Sequence, residues 1–465
     1  MNLTRKDWLE FVRDRRLVAL AGLALLIALA ALANSYARVT SHESNRAAAV
    51  AQDIETWNNQ GTRNPHGAAH FGEWAMRPLT PMALLEPGVT PYAGSAVWLE
   101  AHLWNAARSR PIEDQDSAFD IGPFSVAWVL QVVVPLIIFV LAAGLVSRER
   151  ERGTLRLVLA SGLPARRLVL GKAGSIARIA GLLALPILIA AIAAVILAGP
   201  ADPARLALWC LAYLVYLLIV AAIALAVSAL AWTSAQAMLV LACLWLVGVV
   251  LMPRVGATLA TAAAPVPSAD AFWAAIQHDR RQQPNVFGEG AARFTDDVMR
   301  RYGVSRREDL PVSLGGLQLE EDERIGNVVF DRHYGRLADS YADQRTMLRW
   351  VSLLSPLPAI QNLSMSLAGT SMPDQIDFQR QGEAHRRLRI TFLNADMTKN
   401  AGAKEFQYRA SEALWQQTPR FAYQPSTIGT SLRSTAVDAL ILFAWLAAAL
   451  ALLFFAARRV GREAL

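Results

Sequence analysis

Charged residues are scarce in this 465-residue chain: Asp, Glu, Lys and Arg make up 18% of it, against about 25% in an ordinary soluble protein. Cysteine is rarer still. The two present, Cys210 and Cys243, both sit inside apolar runs, so neither can staple an exported loop and both read as packed thiols. A phosphate-cradling loop of the form G-x-x-x-x-G-K-[ST] is missing, because Gly171-Lys172 is followed by Ala173 and has no glycine five residues earlier. Ser95 and Ser364 lie outside any G-x-S-x-G elbow. The seven histidines are expected to offer no pair at metal-ligand spacing, and the cysteines are too far apart and too buried to help. Neither a catalytic residue nor a resident cofactor is expected. The net charge of +7 comes from scattered Lys and Arg with no zinc-finger or RNA-binding signature, so nucleic acid is not expected as a partner.

What the chain has in excess is apolar sequence: 54% of residues are hydrophobic and the mean hydropathy is +0.29. The excess is concentrated in six stretches, Leu17 to Ala33, Phe124 to Val146, Ile176 to Leu197, Leu206 to Ala231, Ala235 to Met252 and Ala436 to Ala457. Each approaches the roughly 20 residues that carry a helix across a bilayer, and helices satisfy their own backbone polar groups there. The first could instead be a cleaved signal peptide, since Ala31-Leu32-Ala33 mimics a cleavage site behind a basic segment. An uncleaved helix is favoured, because the segment from Arg5 to Arg16 is long and amphipathic.

Charge asymmetry orients the six spans. The N-terminal segment, the loop from Ser147 to Lys172 and the tail after the last span together hold 15 basic residues against six acidic ones. With six spans all three fall on one face, which the positive-inside rule makes cytoplasmic. The expected fold class is an all-α polytopic membrane protein with two large, mainly helical extracytoplasmic insertions. The expected divisions are 1–36 (N-terminal amphipathic segment and first span), 37–123 (first insertion), 124–146 (second span) and 147–172 (cytoplasmic loop). They continue with 173–252 (spans three to five), 253–435 (second insertion) and 436–465 (last span and tail). Phe330, Tyr334, Leu337, Tyr341 and Leu348 recur at helical spacing, predicting a helix from about Leu319 to Val351 that is roughly 50 Å long. The first insertion is richer in Pro, Gly and Trp, predicting short helices and irregular packing.

The cytoplasmic loop is the most informative stretch. It reads as a charged turn broken at Gly153, then a short helix capped by the hydroxyl of Thr154 and ended by Ser161-Gly162. Pro164 suits the first turn of the helix that becomes span three. Leu155, Val158 and Leu159 share one face of the short helix, an apolar ridge flanked by Arg156 and free to meet a partner. A basic juxtamembrane loop by itself can equally be a topology signal drawn to anionic membrane lipid.

The run Glu149-Arg150-Glu151-Arg152-Gly153-Thr154-Leu155, followed by Pro164 and Gly171-Lys172, resembles the segment between helices two and three of ABC-2-type permeases. A second stretch comprises Ser355-Pro356, Leu363-Ser364-Met365 and Leu367-Ala368-Gly369-Thr370, then Phe378, Glu383, Arg386, Arg387, Leu393, Asn394, Asp396 and Met397. It is similar to a subgroup related to multicopper-enzyme-maturation permeases, which carry a large domain of unknown function between helices five and six. The resemblance implies the membrane subunit of an exporter, in the bacterial cytoplasmic (inner) membrane. It also implies a second permease protomer and a cytoplasmic ABC ATPase dimer that holds ATP and Mg. The implied coupling residues are Glu149, Arg150, Glu151, Gly153, Thr154, Leu155, Val158, Leu159 and Pro164. Gln131, Tyr213, Tyr216 and Gln236 are polar residues within spans and hence candidate pathway residues. The spans hold no ion relay, so energy must come from outside the chain. A further reading has ATP move the outer domains against an extracytoplasmic partner protein. A rival from another class is a membrane-anchored receptor or scaffold with two outer binding domains, which gives no reason for a helix-turn-helix in the cytoplasmic loop.

Overall fold

The computed structural model describes residues 15–108 and 124–462; the amphipathic stretch expected from Arg5 lies almost wholly outside them. In chain order, α1 (Arg15–Asn58) leads to α2 (Pro65–Phe71) and to strands β1 (Glu73–Met76), β2 (Ala96–Glu100) and β3 (Leu103–Trp104). Then come α3 (Val126–Glu151), α4 (Thr154–Ala160), α5 (Ala165–Ala198), α6 (Pro203–Leu230) and α7 (Ser234–Ala263). The second insertion supplies α8 (Ala269–Arg281), α9 (Ala291–Tyr302), α10 (Leu314–Val351), α11 (Leu357–Ala368) and α12 (Met372–Asn400), and the chain closes on α13 (Ile428–Arg462). Among the described residues, six helices (α1, α3, α5, α6, α7 and α13) are long and apolar enough to cross a membrane, and they carry the six expected stretches.

Two features of the first insertion differ from expectation. Residues 37–58 simply continue α1, because they contain neither Gly nor Pro and are rich in Ala, and the breakers begin only at Gly61. Beyond them lies a small antiparallel sheet in the order β1-β2-β3, in which Trp74 sits opposite Trp98 and their rings pack 4.9 Å apart. The two insertions are also not separate modules. The Trp57 indole of α1 donates to the carbonyl of Trp415 at 3.0 Å, Arg63 bridges Ala410, and α12 packs on both α2 and β2.

Proline shapes the second span. Pro135 has no N–H to offer the carbonyl of Gln131; the helix widens into a π turn over Val129–Val133, and the Tyr216 hydroxyl donates to that carbonyl at 3.2 Å. A π turn likewise precedes Pro253 in α7, over Leu246–Leu251.

The long predicted helix exists as α10, with Phe330 and Tyr334 buried, and its C-terminal end enters the helix bundle. Arg349 and Arg345 pair with buried Asp438 of α13 at 3.1 and 3.6 Å. Past it, the Trp445 indole donates to the carbonyl of Ser352 at 2.8 Å, and the Ser355 hydroxyl donates to the carbonyl of Gly248 at 2.9 Å. Counting 1.5 Å per residue, Gly248 lies about 21 Å along α7 from Ser234, about midway in a helix long and apolar enough to cross a membrane. The chain turns there and α11 runs back towards the insertions, its Leu357, Ile360, Leu363 and Leu367 merging with the core of the spans. Residues 314–368 thus form a long helix and a hairpin tip joining the body made by the two insertions to the helix bundle.

Candidate functional site

At the opposite end of the bundle, α4 lies as a short element between α3 and α5. Gly153 takes φ +74° at its N-terminus, a left-handed conformation that non-glycine residues adopt only with strain. This corrects the expected cap: the Thr154 hydroxyl does not cap α4 but donates backwards to the carbonyl of Glu149 at 3.1 Å. Gly162, at φ +86°, ends the element, and Pro164 precedes the first residue of α5 in extended conformation.

Three charged residues of the turn are each tied to a different helix. Glu149 accepts from Lys172 of α5 at 2.9 Å. The Arg150 guanidinium donates to the carbonyls of Ala229, at 2.7 Å, and Ala231, the unsatisfied end of α6, and lies over the Trp232 ring. Glu151 accepts from the backbone and hydroxyl of Ser234, at 3.1 and 2.8 Å, where α7 begins.

The apolar ridge faces the other way from expectation. Leu155 and Leu159 are buried in the chain's own core, Val158 is half-buried, and the exposed apolar residue is Leu157, 71% accessible. Burying the 155/159 face against the bundle removes the most apolar area from water and leaves Arg156 and Leu157 pointing outward, beside exposed Arg148 and Arg152.

Three of the four candidate pathway residues meet, and Gln236 does not join them: it accepts from the backbone N–H of Trp232 at 2.9 Å, beside the α4 turn. Gln131 donates to the Tyr213 hydroxyl at 2.6 Å, Tyr213 and the Trp209 indole donate to the Ser364 hydroxyl at 3.0 and 2.8 Å, and Ser364 donates to Glu86 at 2.9 Å. The sequence reading missed Glu86 as a member, since only the fold brings the turn after Pro81–Leu84 against the spans. Beneath this cluster, an apolar cavity of about 290 Å³ lies between Tyr216, Trp245, Trp445, Pro135 and the hairpin tip at Leu354. The expectation that no histidines are spaced for a metal also fails: His66 and His70 stand one helical turn apart and meet His102.

Burial pushes the Glu86 carboxyl up to about 7, against the opposing hydrogen bonds from Ser364, the Gly88 backbone and Gln131. A folded pKa above the unfolded one means that the contribution of Glu86 to stability is complete below the ordinary carboxylate range and is lost as pH rises through about 7. The loss is on the order of 3 kcal/mol at 1.36 kcal/mol per pH unit. Glu86→Gln is expected to abolish this slope between pH 5 and 8 and to exceed the parent in thermal stability at pH 8. Parallel melting curves in detergent that differ equally at both pH values would contradict it.

No curated protein matches this sequence. The model of the ABC-2 family transporter proteins matches residues 1–460. With six span-length apolar helices and that match over nearly its whole length, the chain is a multi-pass membrane protein that belongs to the ABC-2 transporter family, the membrane subunits of ABC transporters.

Proposed function

We propose that the chain is the permease of an ATP-driven exporter in the bacterial cytoplasmic membrane, paired with a second permease protomer over a dimer of cytoplasmic ABC ATPases. Those ATPases hold ATP and Mg and carry out all hydrolysis. The α4 end and both termini are cytoplasmic, in keeping with their excess of basic residues, which also attracts anionic lipid. The joint body of the two insertions lies outside. One observation carries this reading: α4 presents Arg156 and Leu157 outward while Glu149, Arg150 and Glu151 fasten its turn to α5, α6 and α7. A push on α4 therefore reaches three helices at once.

Gly153→Ala tests this. Nothing lies within 4 Å of a Cβ built there, so the substitution adds only backbone strain, roughly 1–2 kcal/mol, at the turn that aims α4. The complex should assemble and hydrolyse ATP, while the change in ATPase rate caused by adding permease to ATPase drops several-fold. An unaltered response would remove α4 from the coupling path.

The hairpin favours a second reading within the same class, in which ATP-driven motion is delivered to the outer body and an extracytoplasmic partner protein. The Ser352–Pro356 tip is bonded to α7 and α13 deep in the bundle, so displacements there are carried outward by α10. Cargo movement across sealed proteoliposomes by the reconstituted complex would exclude this version.

A further inference from the structure

Three histidines converge where the two insertions touch, away from both α4 and the bundle cavity. His66 and His70 lie four residues apart on α2, so their rings share a face. The Asn64 side chain fixes that first turn by accepting from the backbone N–H groups of His66 and Gly67 at 2.9 and 3.3 Å. His102 enters from the β2–β3 turn at φ +66°, held there by its backbone N–H donating to Glu323 at 2.5 Å.

The ring geometry is that of ligands. The Nε2 atoms of His66 and His70 are 3.2 Å apart. Two imidazole nitrogens bound about 2.0–2.1 Å from one tetrahedral zinc stand roughly 3.3 Å apart. His102 lies 5.3 and 5.2 Å from the other two ring centroids, and one nitrogen from each of the three histidines falls within 4.8 Å of the others. Nδ1 of His102 is 3.2 Å from Asp322 Oδ2 and 3.1 Å from Glu323 Oε1, the carboxylate backing that metal-binding imidazoles usually carry. Those carboxylates are themselves fixed, Asp322 by Arg280 and Glu323 by Arg386. His70 is exposed and the other two are half-buried, which leaves a fourth position facing solvent.

We propose that His66, His70 and His102 bind one divalent transition-metal ion of the zinc or copper type, with Asp322 and Glu323 orienting His102. An all-imidazole set suits these ions and disfavours magnesium and calcium, which take oxygen ligands. All three ligands belong to the first insertion, so a bound ion ties α2 to the β2–β3 turn, while Asp322 and Glu323 of α10 hold His102 from the other side.

The test uses the full-length protein in detergent, stripped with a chelator and titrated with Zn2+ against a chromophoric competitor. One ion per chain is expected. His66→Ala and His70→Ala should each weaken binding at least 100-fold, and Asp322→Asn, which removes no ligand, by 10- to 100-fold. Zn2+ should raise the melting temperature of the parent and leave that of the His66→Ala, His70→Ala double variant unchanged. Equal affinity or an equal thermal shift in parent and double variant would overturn the site, since three rings that merely hydrogen-bond to one another predict that result. Should the variants fail to fold, Co2+ added to the parent decides: intense tetrahedral visible bands support the site, and the weak spectrum of aqueous Co2+ overturns it.

Discussion

Arg386→Ala is expected to destabilise the joint body of the two insertions by about 3–5 kcal/mol, the usual cost of leaving a buried charge without its partner. Arg386 is 1% accessible and donates to Glu383 at 2.7 and 2.9 Å, to Glu323 at 2.7 Å and to Asn327 at 2.6 Å. Burial opposes the ionisation of Glu323, yet His102 and Arg386 hold its carboxyl down at about 2. Its share of stability is therefore present above the ordinary carboxylate pKa and lost as pH falls towards 2. Deleting the guanidinium removes the buried cation between the two carboxylates, leaving Glu383 to Arg387 and Glu323 to His102. Thermal unfolding of the purified protein should show the loss, and adding Glu383→Gln and Glu323→Gln to Arg386→Ala should recover part of it, because the remaining groups are then neutral. A melting temperature for Arg386→Ala indistinguishable from the parent would show that water reaches these groups.

That network also shows what the sequence could and could not reveal. Phe378, Glu383, Arg386, Leu393, Asn394 and Met397 stand out in the sequence only by a resemblance to one subgroup of permeases. Their burial on α12 marks them as the packing that joins the two insertions. The six spans were legible because each is a run of apolar residues near the length a bilayer demands. The hairpin that packs into the bundle was not: α11 is 12 residues long and interrupted by Gln361, Asn362 and Ser364, too short and too polar to register as part of the core of the spans. Glu86 escaped for a different reason. A carboxylate 45 residues from Gln131 in the chain has no local sign of burial, and only the placement of the Pro81–Leu84 turn against α5 and α11 puts it among Tyr213 and Ser364.

The orientation of α4 was the least determinable feature. In a seven-residue helix with the sequence TLRLVLA, Leu155 and Leu159 fall one turn apart on one side and Leu157 on the other. Spacing alone defines both faces without saying which is inward. Tertiary packing decides: Leu155 and Leu159 belong to the same apolar core as Leu168 and Val169 of α5.

Leu157→Asp is therefore the sharpest single test of how the permease meets its ATPase. Leu157 is 71% accessible, so the change should alter the permease's own stability by no more than about 0.5 kcal/mol. In a docked complex an exposed leucine on a short convex helix is the natural anchor, and an interface anchor is worth about 2 kcal/mol or more. ATPase binding to the solubilised permease should weaken roughly 30-fold, the tenfold-per-1.4-kcal/mol equivalent of that anchor, with the permease melting unchanged. Leu155→Ala makes the contrast: its side chain is 2% accessible, and truncation costs about 2–5 kcal/mol of folding stability, so any loss of ATPase binding there follows from unfolding of α4. Undiminished ATPase affinity in Leu157→Asp would move the contact to the neighbouring arginines Arg148, Arg152 and Arg156. Their charge reversal should then reproduce the loss in a salt-dependent manner.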